Sequence, residues 1–264
     1  MTPPPRSSLR YGRWQDATPP PKGDVLLTDP PYSARTHSGF RSGSEGVAAR
    51  IERYGSRQPG CRNRLGYAPL SREEAGDLVQ LAIAAEVRWF VAFGDHQSFL
   101  VWKELLGEAG WLTFAPVLWV KSDAPPRMAG DGPQSACEYL AVARPRRRVR
   151  YPGSRRGFYM VQTEKSPLPP SERIVGMKRP ADLAQLVLDY TVPGDLVLDP
   201  YAGTASMGVA CVSTGRGYLG YEKERRTYDL GVRKLGGVSL PIPGTEPNRW
   251  ATDSPAAQIP LTKE

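Results

Sequence analysis

Short apolar runs of strand length alternate along this chain with longer stretches in which apolar residues recur every three or four positions. Strands are expected over 9–14, 24–28, 88–93, 111–120, 138–143, 195–198 and 218–221, and helices over 72–86, 97–109, 181–190, 205–214 and 225–235. Strand following helix following strand is βαβ rhythm, and it predicts an α/β sheet covered on both faces. The rhythm breaks once, in the middle. The runs at 111–120 and 138–143 are joined by a Pro- and Gly-rich connection at 123–132 and not by a helix, so they read as an antiparallel pair at one sheet edge. An Arg-rich stretch punctuated by Pro and Gly follows, and the whole insertion is set at about 122–176. No internal repeat is visible. The polar, proline-punctuated stretch 236–264 reads as a partly disordered tail, which leaves 9–235 as the folded domain.

Two motifs stand where such a sheet binds ligands. Asp29-Pro30-Pro31-Tyr32 ends one apolar strand and Asp199-Pro200-Tyr201-Ala202-Gly203-Thr204 ends another, and open α/β sheets bind ligands in the crevice at the carboxyl ends of their strands. Both motifs are therefore expected on one cleft. In the first, two prolines fix φ and remove two N–H donors, so the Asp29 carboxylate and the Pro30 carbonyl face outward as acceptors. The exocyclic amine of a nucleobase is a poor nucleophile because its lone pair is delocalised into the ring. Two such acceptors draw it towards tetrahedral geometry, and Tyr32 would stack on the ring. The plain alternative is an acidic proline turn with a surface tyrosine. In the second motif, small Ala202 and Gly203 ahead of a helix let backbone N–H groups meet a polar ligand group. Glu222, roughly 20 residues further at the end of the next strand, suits ribose hydroxyls. The pair points to a nucleoside, the alternative being a packing glycine and a surface glutamate.

Composition narrows the partner. With 264 residues and 40% hydrophobic content the chain supplies one ordinary core, and no apolar stretch approaches the length of a membrane span. Residues 1–5 lead into Arg and Ser with no apolar signal core, so the default expectation is cytoplasmic, with no membrane partner. Cys61, Cys137 and Cys211 stand apart without metal-ligand spacing, so neither a disulfide framework nor a metal site is expected. Lys and Arg number 35 against 27 Asp and Glu, a net charge of +8 that favours a polyanionic partner. The excess gathers in two segments, 35–64 and the cluster Arg144, Arg146, Arg147, Arg148, Arg150, Arg155 and Arg156. Tyr54, Tyr67, Tyr151, Phe158 and Tyr159 are interleaved with them, a mixture suited to phosphates and stacked bases, although a charge run is equally often a solvated face.

With these motifs in this order, the chain resembles the permuted, beta-class DNA amino-methyltransferases of prokaryotes and phages, in which Asp-Pro-Pro-Tyr precedes the S-adenosylmethionine loop. The resemblance covers nearly all of 9–235. It implies a Rossmann-like, doubly wound mixed sheet of the class I methyltransferase type, circularly permuted. It also implies S-adenosyl-L-methionine as cofactor, double-stranded DNA as partner and site-specific methylation of the restriction-modification kind, with a homodimer as an allowed assembly. By the same resemblance Asp29, Pro30, Pro31 and Tyr32 are catalytic, and Asp16, Asp199, Pro200, Tyr201, Ala202, Gly203, Thr204 and Glu222 line the cofactor site. Lys178 joins them from the Lys-Pro pair that precedes a helix, though the extra base in Lys178-Arg179-Pro180 leaves open which of the two serves. Residues 119–121 and Glu138-Tyr139 correspond to strands flanking the recognition region. DNA contacts would come from Arg35, His37 and the arginine cluster 144–156, which would offset the few kcal/mol of flipping a base. An acid heading the proline turn is typical of adenine-N6 enzymes and serine of cytosine-N4 enzymes, and a purine offers Tyr32 the larger stacking surface. One departure stands out: Ala205 replaces a second glycine of the loop and fits there only with negative φ. Rival readings are an RNA substrate, an inactive DNA-binding protein that keeps the fold, and a nicotinamide dehydrogenase, which leaves the proline turn unexplained.

Overall fold

The computed structural model describes residues 7–34, 36, 67–124, 126, 132–147, 149–153, 157–162, 174 and 176–237. The chain opens with β1 (Ser7–Tyr11), a single 3-10 turn (Trp14–Asp16) and β2 (Val25–Thr28). Helix α1 (Arg72–Ala84), β3 (Trp89–Gly94) and α2 (His96–Glu108) follow, then β4 (Leu112–Thr113), β5 (Val117–Lys121), β6 (Cys137–Arg144) and β7 (Phe158–Val161). The carboxy-terminal part runs α3 (Pro180–Tyr190), β8 (Leu196–Asp199), α4 (Ser206–Ser213), β9 (Gly217–Glu222) and α5 (Arg225–Gly236). The strands of the described residues form one sheet in the order β1-β9-β8-β2-β3-β6-β5-β7, with β4 also paired to β6. β6 runs antiparallel to its neighbours and the remaining path pairs are parallel.

The middle of the sheet explains itself. Every residue of β2 and β3 is buried, as expected of parallel strands covered on both faces. Val25, Leu27, Trp89, Val91 and Phe93 face one way, onto α3 and α4, while Leu26, Phe90 and Ala92 face the other, onto α1 and α2. The helices start where local chemistry says they should. Ser71 and Glu74 form a reciprocal capping box at α1, the Asp95 side chain caps α2, and Pro180 opens α3.

Three expectations need correction. The apolar run at 111–120 is two strands, because Pro116 has no N–H to give and the ladder to β6 breaks there. The pair β5–β6 is antiparallel as expected but is not the edge, since β7 adds outside β5. That strand, from Phe158 to Val161, lies in the stretch read as a recognition loop, and its exposed-buried-exposed-buried alternation is the period-two signal that the arginines around it obscure. Tyr159 is accordingly a core residue whose hydroxyl donates to Asp189 at 2.7 Å. Among the described residues no helix is long and apolar enough to cross a membrane. Of the stretch 236–264 read as a tail, Gly236 closes α5 and residues 238–264 lie outside the described residues.

Candidate active site

Strands β2 and β8 are parallel neighbours, with Val25 opposite Val197 and Leu26 opposite Leu198, so the two Asp-Pro motifs emerge side by side from the same end of the sheet. The Thr28 hydroxyl donates to Asp199 Oδ1 at 2.8 Å and ties one strand end to the other. Around them lies a cavity of about 590 Å³ whose walls include Asp29 to Tyr32, Asp199 to Thr204, Glu222, Lys178, Glu138 and the turn from Gly12 to Gln15.

The proline-turn side is dense in charge. Lys178 Nζ donates to Asp29 Oδ2 at 2.5 Å, lies 3.1 Å from Glu138 Oε2, and reaches the Tyr32 hydroxyl at 3.3 Å. The Tyr32 hydroxyl itself donates to Glu138 Oε2 at 2.8 Å, and Lys121 Nζ donates to Glu138 Oε1 at 2.5 Å. Burial pushes the Asp29 carboxyl up, and the Lys178 ammonium only partly offsets that. For Glu138 burial also pushes up, but the two lysines outweigh it and bring the carboxyl down to about 2. Burial would lower Lys178, yet its two carboxylate neighbours raise it, so the ammonium stays charged. Burial and the same carboxylates push Tyr32 well up, which keeps the phenol neutral. Just beyond the turn, the Ser33 and Thr36 hydroxyls both donate to Asp95 Oδ2, the residue that caps α2. The segment leaving the turn is thereby pinned to a helix start.

The loop after β8 works with neutral partners. Asp199 receives the Thr28 hydroxyl, the Tyr218 hydroxyl at 3.1 Å and the Tyr201 N–H at 3.3 Å; burial pushes its carboxyl up to about 7. Gly208 and Gly220 make room for that tyrosine, since a Cβ at either position would lie within 2.7 Å of the Tyr218 ring. Gly203 has φ +53° with nothing within 4 Å of where a Cβ would stand, so the loop is open towards the cavity. Ala205 sits at φ +56° and ψ 31°, against the negative φ expected for it. The left-handed turn that a glycine usually makes is kept by alanine at a cost of about 1–2 kcal/mol. The loop is braced by Lys234, whose ammonium donates to the Thr204 hydroxyl at 2.9 Å, and by the Ala202 N–H to the Tyr221 carbonyl at 2.9 Å. Glu222 ends β9, accepts the Glu224 N–H at 2.7 Å, and is raised by burial. Its own carbonyl accepts the Gly12 N–H at 2.9 Å, which carries the 3-10 turn over to the loop.

Of the residues singled out in the sequence, Asp29, Pro30, Pro31, Tyr32, Lys178, Asp199, Pro200, Tyr201, Ala202, Gly203, Thr204 and Glu222 meet on this one cavity. Asp16 does not: it is exposed, and the wall there is made by Gly12, Arg13, Trp14 and Gln15. Arg35, His37, Arg148, Arg155 and Arg156 lie outside the described residues. Arg144, Arg146, Arg147 and Arg150 are at the wrong end of the sheet for the cavity. β6 starts beside the site at Cys137 and Glu138 and runs away from it, so Arg144, at its far end, stands about 20 Å off. There Arg144 packs over the Phe114 ring at 5.9 Å and donates to the Arg147 carbonyl at 2.9 Å, while the Arg150 carbonyl accepts from Trp89 Nε1 at 3.3 Å. Sequence reasoning gives no site role to Glu138, Lys121, Asp95 or Thr28. Charged residues at the ends of apolar strands are the available signal, but it acquires meaning only through the register that puts Glu138 opposite Trp119.

The mostly parallel mixed sheet, covered by helices on both faces, is the fold of class I methyltransferases. It superimposes on the M1.HpyAVI–SAM complex with a TM-score of 0.60 at 17% identity, over 86% of this chain and 98% of that one. It also superimposes on the cytosine-N4-specific PvuII DNA methyltransferase with a TM-score of 0.57 at 12% identity, over 91% and 98%. Residues 177–233 match the family N6_N4_Mtase, described as DNA methylase. The chain is 28% identical over 146 residues to the Type II methyltransferase M.Cfr9I of Citrobacter freundii, 50% of this chain and 47% of that protein. It is 36% identical over 58 residues to the DNA adenine methyltransferase YhdJ of Escherichia coli K12, 22% of this chain and 20% of that one. The alignments thus span half or less of these curated relatives, and over the matched segments the chain is similar to N6/N4 DNA methylases.

Proposed function

We propose that the protein is a DNA amino-methyltransferase that moves a methyl group from S-adenosyl-L-methionine to the N6 amine of adenine in double-stranded DNA. The observation that carries this reading is the shared cavity: Asp29 and Pro30 line the same space as Gly203 and Glu222. The residues present suit the cofactor. The open left-handed turn at Gly203 offers backbone to its polar end, and Glu222 offers a carboxylate to ribose hydroxyls.

When bound, S-adenosylmethionine supplies a methyl group activated by its sulfonium charge. The chain's own part is to prepare the amine. Asp29 and the Pro30 carbonyl accept its two N–H bonds, which draws the nitrogen lone pair out of the ring and towards the cavity. Tyr32, its hydroxyl anchored on Glu138, presents its ring for stacking. Transfer would exchange the cofactor's sulfur–carbon bond for a carbon–nitrogen bond, and one amine proton would pass to water. No covalent bond to the protein is needed. Reaching the amine requires the base to leave the helix stack, at a cost of a few kcal/mol.

Adenine is favoured over cytosine by the acid at position 29, the form typical of adenine-N6 enzymes in the family the sequence resembles, and by the larger stacking area of a purine. The test is incubation of DNA with the protein and methyl-labelled cofactor, followed by mass spectrometry of the nucleosides. N6-methyladenine is expected. N4-methylcytosine without N6-methyladenine overturns the base, and no methylated nucleoside overturns the reaction.

A further inference from the structure

Lys178 and Glu138 take no part in the amine chemistry, yet both are paired charges on the cavity wall. The Lys178 ammonium has three N–H bonds and three acceptors: Asp29 Oδ2 at 2.5 Å, Glu138 Oε2 at 3.1 Å and the Tyr32 hydroxyl at 3.3 Å. Its remaining side rests 4.1 Å from the centre of the Phe93 ring. Glu138 is fixed in turn by Lys121 at 2.5 Å and by the Tyr32 hydroxyl at 2.8 Å. The donors of Lys178 are therefore spent on the proline-turn side of the cavity. The neighbouring base, Arg179, is spent elsewhere, in a two-pronged pair with Asp182 at 2.6 and 2.7 Å.

Building on the methyltransferase reading, we propose that Lys178 and Glu138 are positioning residues for Asp29 and not ligands of the cofactor: Glu138 anchors the ammonium, and the ammonium fixes the charge and direction of the carboxylate. The physical need is plain. A carboxyl taken out of water picks up a proton unless a cation stands beside it, and a protonated carboxyl loses most of its power to accept from an amine. The titratable groups facing Asp29 from the surrounding elements are Tyr32 on its own turn, Glu138 on β6, Lys178 ahead of α3, Tyr67 ahead of α1 and Asp199 on β8, with Lys121 on β5 behind Glu138. Lys178 is the cation in contact with Asp29, while Glu138 and Asp199 push the opposite way. The two members of the couple therefore have opposite signs of effect, which a generic packing role does not.

The experiment is a pH titration of the Asp29 carboxyl by ¹³C NMR in protein labelled at aspartate, with the resonance assigned by its loss in Asp29→Asn. Lys178→Met is expected to raise the midpoint by about 1–3 units, and Lys178→Arg to leave it near the wild-type value. Adding Glu138→Gln to Lys178→Met should bring the midpoint back down, because the repulsion from Glu138 is then gone. Calorimetry with S-adenosylhomocysteine should find Lys178→Met within about twofold of wild type. An unchanged midpoint in Lys178→Met, or a cofactor affinity weakened by about tenfold or more, overturns the proposal. In label transfer the acid limb of the rate profile should follow the NMR midpoint across the variants. A wild-type protein that transfers no label to DNA sinks the methyltransferase reading alone, and the NMR cycle still decides the role of the couple.

Discussion

Asp29-Pro30 and Asp199-Pro200 are the same dipeptide at the ends of neighbouring parallel strands, and the fold treats them in opposite ways. Asp29 meets an ammonium; Asp199 meets two hydroxyls and an N–H. Burial raises both carboxyls, but at Asp29 the Lys178 ammonium offsets part of the rise, which favours the charged form that an amine needs. Asp199, surrounded by neutral donors, is pushed up to about 7, and its hydrogen bonds serve to join β2, β8 and β9 at the crevice. The partner and not the dipeptide sets the role.

The largest effect expected from this contrast is on the reaction itself. Asp29→Asn keeps the shape and removes the charge, and methyl transfer should fall by about 100-fold or more, with cofactor affinity nearly intact. If Asp199→Asn lost transfer as heavily with cofactor affinity unchanged, the two carboxylates would not differ in role. Next in size, Glu222→Ala should weaken S-adenosylmethionine about 10- to 100-fold by calorimetry while leaving the rate at saturating cofactor close to wild type. A variant that lost rate and not affinity would move Glu222 to the reacting end of the cavity.

The pH dependence of stability sharpens the contrast further. Asp199 is raised from its ordinary value of 3.8 to about 7, so between those values the folded state holds a proton that the unfolded chain has lost. Its contribution is therefore fully present below about pH 4 and is lost as pH rises to about 7, at no more than about 1.4 kcal/mol per unit. Urea unfolding across that window should show Asp199→Asn with a flatter pH profile than wild type, and parallel profiles would contradict the neutral-partner account. The smallest effect lies in the same loop. Ala205→Gly relieves the left-handed strain but adds freedom to the unfolded chain, for a net gain of about 1 kcal/mol and a melting temperature about 2 °C higher. A lower melting temperature would mean that the methyl group of Ala205, buried against its neighbours, contributes more than the strain costs.

Much of the fold and half of the site are legible in the residues alone. The five long helices and the central strands lie within a few residues of where apolar periodicity puts them, because period and turn chemistry are local properties. The two motifs share a cleft because each follows a buried strand and buried parallel strands end together. The misreadings share a cause as well. β7 is masked by the arginines on either side, and the split at Pro116 is smoothed over by the apolar residues flanking it. The arginine cluster is read from composition, which carries no information about which end of the sheet a strand finishes on.

By itself, then, the sequence determined the α/β architecture, the pairing of a proline turn with a small-residue loop, and the acid at the end of β9. Tertiary structure alone decided that Lys178 serves Asp29 across 149 positions of chain, that Tyr32 hangs on Glu138 across 106, and that Ala205 turns left-handed where negative φ was expected. It also decided that Arg144 stands at the end of β6 remote from the cavity. The reason is physical. Helix, strand and turn are written in neighbours a few residues apart, whereas the charge state of a buried group depends on which distant side chains the register of the sheet brings within about 3 Å of it.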